Sequence, residues 1–200
     1  MAKLYFRYGA MNSGKSTALL QAAFNYEERD QRVLLAKPVV DTKSLGIVSR
    51  LGVQRDVDFS VGADDSVTEL FEAAAARDAQ PVACLLVDEA QFLSALQVEE
   101  LLRIAIDRAV PVLAYGIRTD FQTVAFPGSR RLLELAHSLE ELKTICRCGR
   151  KAIFNARRIG DGFIFAGDQV AIDAGEVTYE SLCGQCYLRE SGGVLAPLPA

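Results

Sequence analysis

Gly9-Ala-Met-Asn-Ser-Gly14-Lys15-Ser16 is the stretch from which the fold follows. It meets G-x-x-x-x-G-K-[ST] at every fixed position. It lies between an apolar run, Leu4 to Tyr8, and a stretch rich in Ala, Leu and Gln that reads as a helix from Gly14 to about Glu28. In a strand, glycine loop and helix so ordered, backbone N–H groups turn inward onto phosphate oxygens. The helix N-terminus adds partial positive charge. Gly9, Ala10, Met11, Asn12, Ser13, Gly14, Lys15 and Ser16 are therefore expected to bind ATP. Lys15 supplies a catalytic cation at the β and γ phosphates, and Ser16 a hydroxyl for Mg²⁺.

Downstream, Arg32 to Val40 reads as a buried strand, and the polar segment from Asp41 to about Arg55, with no clear period, as a loop. Ser66 precedes Glu69 at capping-box spacing, and Leu70, Phe71, Ala74 and Ala75 follow at helical intervals. Ala83 to Val87 forms a short apolar strand ending in Asp88-Glu89. Leu101, Leu102, Ala105, Ile106 and Ala109 mark a further helix, and Val110 to Tyr115 another strand. Strands alternating with helices imply right-handed crossovers. The fold class is α/β, a P-loop (RecA-like) mostly parallel sheet flanked by helices, with ligands at the carboxyl ends of the strands.

Asp88 sits where a strand-end carboxylate reaches the metal of a bound nucleotide, so Ser16 and Asp88 are the expected Mg²⁺ pair. Glu89, next in the chain, is the candidate general base for an attacking hydroxyl or water. This chemistry alone leaves kinase and hydrolase both open. His137, the one histidine, falls in an expected helix from Arg130 to Ser138 and reads as structural. Cys84, inside an apolar strand, reads as core.

Four of the five cysteines fall in two close pairs, Cys146/Cys148 and Cys183/Cys186. Two thiolate pairs can meet in one tetrahedral Zn²⁺ site, and four cysteine ligands leave no open position, so the metal is structural. A chain of 200 residues, half of them apolar, can bury one sizeable core and a small appendage. The expected division is a nucleotide-binding α/β domain over 1–143, a small zinc-ribbon lobe over 144–189, and a tail over 190–200. A net charge of −4 offers no broad positive field to a nucleic acid. No apolar run approaches the ~18 residues of a membrane span, and MAKLYFRYGA enters a strand pattern without a leader-like apolar stretch, so the expected location is cytoplasmic.

The P-loop GxxxSGKS, then Asp88-Glu89-Ala90-Gln91-Phe92, then Tyr115-Gly116-Ile117-Arg118-Thr119-Asp120-Phe121, then two cysteine pairs, resembles the type II thymidine kinase family over nearly the whole chain. The resemblance implies that Glu89 takes the proton from the thymidine 5′-hydroxyl. It puts Asp88, Glu89, Ala90 and Gln91 at the ATP and metal site, and Asp41 and Thr42 near the phosphates. Lys43 stands where the family usually has arginine. The resemblance also implies that Met11, Phe121, Phe126, Asn155 and Tyr179 surround the nucleoside, together with a lasso loop at Val170, Ala171, Ile172 and Asp173. Asn155 departs from the family's common threonine beside the thymine methyl. A lost methyl contact is worth about 10- to 200-fold, which makes deoxyuridine an expected second substrate. A homotetramer and feedback inhibition by thymidine triphosphate (dTTP) are implied in the same way.

A different class remains open: a P-loop zinc-ribbon ATPase acting on nucleic acid, suggested by Arg147, Arg150, Lys151, Arg157 and Arg158 around the first cysteine pair. The bland reading of these residues is a solvated face, and the acidic chain favours it. No nucleic-acid partner is expected. A kinase of another nucleoside would share the whole phosphate site and differ only in the base pocket.

Overall fold

The computed structural model describes residues 1–39, 46–49, 52–169 and 177–195. β1 (Leu4–Tyr8) leads through the glycine loop into α1 (Lys15–Glu27), followed by β2 (Arg32–Pro38). Two three-residue strands, β3 (Gly46–Val48) and β4 (Gln54–Asp56), pair antiparallel, and β5 (Phe59–Val61) and α2 (Val67–Ala75) come next. β6 (Val82–Val87), a 3₁₀ turn (Ala90–Phe92), α3 (Ala95–Asp107), β7 (Val112–Gly116), α4 (Pro127–Leu135) and β8 (Ser138–Glu141) complete the large layer.

The six-stranded sheet has the order β5-β2-β6-β7-β1-β8, and each of its neighbouring pairs runs parallel. Alternate residues of the central strands feed two different cores, as expected of a parallel sheet covered on both faces. Leu34, Leu85, Val87, Val112 and Ala114 face α2, α3 and α4, where they meet Phe71, Leu101 and Leu132. Val33, Leu35, Cys84, Leu86 and Leu113 face α1, where they meet Leu19, Leu20 and Ala23. Burial pushes the Cys84 thiol up to about 12, so it stays protonated as a core group.

Local sequence explains the helix boundaries and corrects several expectations. Ser66 caps α2 by accepting from the Glu69 N–H, but the reciprocal half of a capping box is absent; Glu100 of α3 accepts from the Val67 N–H at 2.6 Å. The complete box occurs at α3, where Ser94 and Gln97 each accept from the other's backbone N–H. The segment read as a loop from Asp41 to Arg55 contains the β3–β4 hairpin, whose strands are too short to show a period. β2 ends at Pro38, ahead of the expected Val40, which lies outside the described residues. α4 ends at Leu135, so His137 lies beyond it. There its Nδ1 accepts from the Leu4 N–H at 3.1 Å and ties β8 to β1.

The remainder is a small lobe. β9 (Thr144–Ile145) and β10 (Lys151–Ala152) form a hairpin around the first cysteine pair. β11 (Phe154–Ile159) lies between β12 (Gly162–Ile164) and β13 (Val177–Leu182), and of the second pair Cys183 caps α5 (Gly184–Glu190) and Cys186 lies within it. Tyr187, Ala156 and Leu182 pack with Cys146, Cys183 and Cys186 in its core. Glu190, placed in the tail by sequence, closes α5 instead. Among the described residues no helix is long and apolar enough to cross a membrane.

Candidate active site

The glycine loop opens at the carboxyl end of β1, beside those of β6 and β7. Gly14 takes a left-handed conformation, φ 77°, as it caps α1. A Cβ at Gly9 would lie 2.3 Å from Ser13 Oγ and 2.6 Å from the Leu142 carbonyl oxygen, so only glycine fits. Lys15 is buried, and its Nζ donates to the Ala10 carbonyl at 2.9 Å. Ser16 Oγ donates to Asp88 Oδ2 at 3.1 Å.

Asp88 is 4% exposed. Burial, with the neighbouring charge of Glu89, pushes its carboxyl up to about 6. Its Oδ1 has no hydrogen-bond partner among the described residues. A buried carboxylate oxygen left unpaired beside a serine hydroxyl suits the hard cation that accompanies a nucleotide, so the donor set fits Mg²⁺.

Glu89 sits on the turn after β6 with φ 49°, a strained conformation for a non-glycine residue. Gln91 Nε2 donates to its carboxylate, while Gln91 Oε1 accepts from the Ile117 N–H at 3.2 Å. The base candidate is thus braced against the loop that follows β7. Glu89, Lys15, Ser16, Met11, Val48 and Ile117 border one open cleft of about 690 Å³. Ala90 and Gln91 are buried in the 3₁₀ turn that follows Glu89.

The cysteine lobe meets the glycine loop at Met11, whose backbone hydrogen-bonds to Asn155 and Ser181. The Sγ atoms of Cys146, Cys148, Cys183 and Cys186 lie within 4.8 Å of one another. Tetrahedral zinc with ~2.3 Å bonds sets its sulfurs about 3.8 Å apart, so the cluster fits such an ion. The tight spacing of the first pair is accommodated by the β9–β10 turn, where the Gly149 N–H donates to the Cys146 carbonyl and Gly149 takes φ 83°.

Phe121 is buried, and the Arg157 guanidinium stacks on its ring at 3.7 Å. Arg157 Nε also donates to the Tyr179 hydroxyl at 3.1 Å, and Nη2 to the Gln169 carbonyl at 2.9 Å. Asp120 accepts from the Gln122 and Val124 backbone N–H groups and from Gln169 Nε2, fixing the loop that carries Phe121. Phe126 caps α4 and packs edge-on against Phe92, 5.3 Å between centroids. Asn155 accepts from the Met11 N–H at 2.7 Å and donates to the Thr119 carbonyl at 2.9 Å. The structure therefore brings Met11, Asn155, Phe121 and Tyr179 into one connected region, with Phe126 in the aromatic packing beside the 3₁₀ turn. Asp41, Thr42, Val170, Ala171, Ile172 and Asp173 lie outside the described residues.

Sequence reasoning missed Arg157. It stands in a basic run, yet it is 4% exposed and lies between two aromatic rings, whereas its neighbours point elsewhere. Arg147 and Arg158 both pair with Glu180, and Lys151 pairs with Glu141. These basic side chains are largely matched within the chain, which leaves little for a nucleic-acid backbone. The strand alternation of β11 was the available signal: Arg157 shares the face of Asn155, two positions away.

The thymidine kinase family model matches residues 2–187. The chain belongs to the thymidine kinase family. It is 48% identical over 191 residues to a thymidine kinase of Chromobacterium violaceum, covering 94% of this chain and 98% of the relative. To that of Ruegeria pomeroyi it is 47% identical over 196 residues, 96% of each. To the thymidine kinase of Enterobacteria phage T4 it is 45% identical over 186 residues, 92% of this chain and 94% of the relative. As a member of this family the protein is a kinase built on an α/β sheet, with a cysteine cluster that could hold a metal such as zinc.

Proposed function

We propose that the protein transfers the γ-phosphoryl group of ATP to the 5′-hydroxyl of thymidine, with Glu89 as the general base. The observation that carries this assignment is one cleft bordered both by the P-loop lysine and by the Glu89 carboxylate, which Gln91 braces. Gly9 to Ser16 wrap the phosphates with backbone N–H groups, and Lys15 moves with the charge that develops on the transferred group. Ser16 and Asp88 would hold Mg²⁺, which neutralises phosphate charge when bound. Glu89, oriented by Gln91, accepts the proton of the attacking hydroxyl. Ala90 and Gln91 follow in the 3₁₀ turn, and Asp41 and Thr42 are assigned to the phosphates from the family resemblance alone.

The nucleoside is assigned to the region of Met11, Phe121, Phe126, Asn155 and Tyr179, with the backbone of Val170 to Asp173 closing over the base. Arg157 joins this set because it holds the Tyr179 hydroxyl and stiffens Phe121. Cys146, Cys148, Cys183 and Cys186 are assigned to structural zinc, and the chain is divided at 143/144 into a nucleotide-binding domain and a zinc lobe, with a tail from 190. The family resemblance further supports a homotetramer, feedback inhibition by dTTP and a cytoplasmic location.

The test is ATP consumption by the purified protein with Mg²⁺ and thymidine, deoxyuridine, deoxycytidine or single-stranded DNA, with mass detection of products. Thymidine monophosphate is the expected main product, with deoxyuridine monophosphate second. ATP hydrolysis stimulated only by DNA would overturn the assignment.

A further inference from the structure

The phosphate loop is held from outside by two residues of the cysteine lobe. Asn155 on β11 and Ser181 on β13 are directly paired across neighbouring strands. Both point at Met11: Asn155 Oδ1 accepts its N–H at 2.7 Å, and Ser181 Oγ donates to its carbonyl. Both side chains are buried, 2% and 7% exposed, and each acts on loop backbone. The orientation of the Asn155 amide is dictated by its partners, since its oxygen faces an N–H and its nitrogen faces the Thr119 carbonyl.

The peptide unit joining Ala10 to Met11 is planar, so its N–H and its C=O turn together. Its N–H is fixed by Asn155, while its C=O accepts from Lys15 Nζ at 2.9 Å and from the Ser13 N–H at 3.3 Å. Rotation of this plane would release Asn155 and at the same time withdraw the carbonyl that steadies the lysine ammonium. We infer that Asn155 and Ser181 are positioning residues for the ATP phosphates: Asn155 sets the Ala10–Met11 peptide plane and through it the Lys15 ammonium, and Ser181 holds the next peptide plane by its bond to the Met11 carbonyl. The lobe assigned to the nucleoside thereby braces the phosphate loop as well. Asn155 spends its carbonyl oxygen and one amide hydrogen on backbone 144 and 36 positions away in sequence, two bonds that a purely apolar side chain could not make. Linkage then requires that nucleotide binding stiffen the β11–β13 pair in return.

This inference rests on the reading of Gly9 to Ser16 as the ATP site. Its test is calorimetric binding of Mg·ADP and, separately, of thymidine to zinc-loaded full-length protein: wild type, Asn155→Ala, Ser181→Ala and Ser181→Thr. Asn155→Ala is expected to weaken Mg·ADP about tenfold and Ser181→Ala about threefold to tenfold, with thymidine affinity changed less than threefold in the Ser181 variants. Ser181→Thr, which keeps the hydroxyl, is expected to restore nucleotide affinity. Mg·ADP affinity within twofold of wild type in both alanine variants would overturn the inference. So would a loss of thymidine affinity in Ser181→Ala equal to or larger than its nucleotide loss, which would mark a collapsed lobe. Absence of Mg·ADP binding by the wild type would instead overturn the phosphate-site reading, and the inference with it.

Discussion

The sheet that carries Gly9 to Ser16 lies between two extended apolar clusters, whereas the three strands that carry Asn155, Arg157 and Tyr179 share one small cluster of which Cys146, Cys183 and Cys186 are themselves members. The first region has enough buried aliphatic area to hold the strands and helices that flank its loop. The second has too little and gathers four thiols instead. Binding groups differ accordingly. The phosphate end combines backbone geometry close in sequence with the brace from Asn155 and Ser181, while the lobe relies on side chains such as Arg157, whose partners are 12 to 36 positions away.

The sharpest way to break this contrast is to remove a thiol. Cys183→Ser should cost the lobe its metal, a term on the order of 10 kcal/mol for structural zinc. Metal analysis should find less than one ion per chain. Hydrogen exchange should show lost protection over 144–189, with β1, β6 and β7 still protected. Equal loss of protection in both regions would mean that the sheet does not stand on its own core.

A smaller effect is expected at Arg157. Its replacement by Ala removes the cover of Phe121 and the donor to Tyr179, and the KM for thymidine should rise about 10- to 100-fold. The KM for ATP should change much less. A change confined to ATP would put Arg157 in the wrong half of the site.

Asp88 offers a test in the opposite direction. Its folded pKa, about 6, lies above the ordinary aspartate value of 3.8, so the folded state holds this proton more tightly than the unfolded state does. Stability should therefore fall as pH rises from about 4 to about 6, and the penalty should persist above that window. Asp88→Asn should remove it, stabilising the nucleotide-free protein at pH 8 by about 1–2 kcal/mol in thermal or urea unfolding, with no gain at pH 4. Mg·ATP-dependent activity should be lost in the same variant. The smallest effect is expected on the lobe surface, where Lys151→Ala breaks only a half-exposed pair with Glu141 and should shift stability by ~0–1 kcal/mol.

The sheet, the glycine loop and the Asp88-Glu89 strand end were largely legible from sequence because their determinants are contiguous. An eight-residue loop lies between a strand and a helix, and an apolar strand ends in Asp88-Glu89. The four cysteines were legible as a cluster for the same reason, since each pair is local. What escaped was set by distant partners or by very short elements. The three-residue strands of β3 and β4 carry no measurable alternation, and the true capping box at Ser94 and Gln97 lay outside the segment tested for one. Arg157 resembled its solvent-facing neighbours because burial depends on which strand face meets Phe121, a relation across 36 residues. Asn155 stood out only by type; its two backbone partners become visible when β11 is laid beside the phosphate loop.

The most direct test of the central assignment is a rapid-quench single turnover with Mg·ATP and thymidine, comparing wild type with Glu89→Gln after the affinity of each protein for both substrates has been measured. Substrate affinities within threefold of wild type and thymidine monophosphate formed about 10²- to 10⁴-fold more slowly would fit a general base held between Gln91 and the phosphate loop. Product formed by Glu89→Gln at the wild-type rate would contradict it and return the proton acceptor to another group in the cleft.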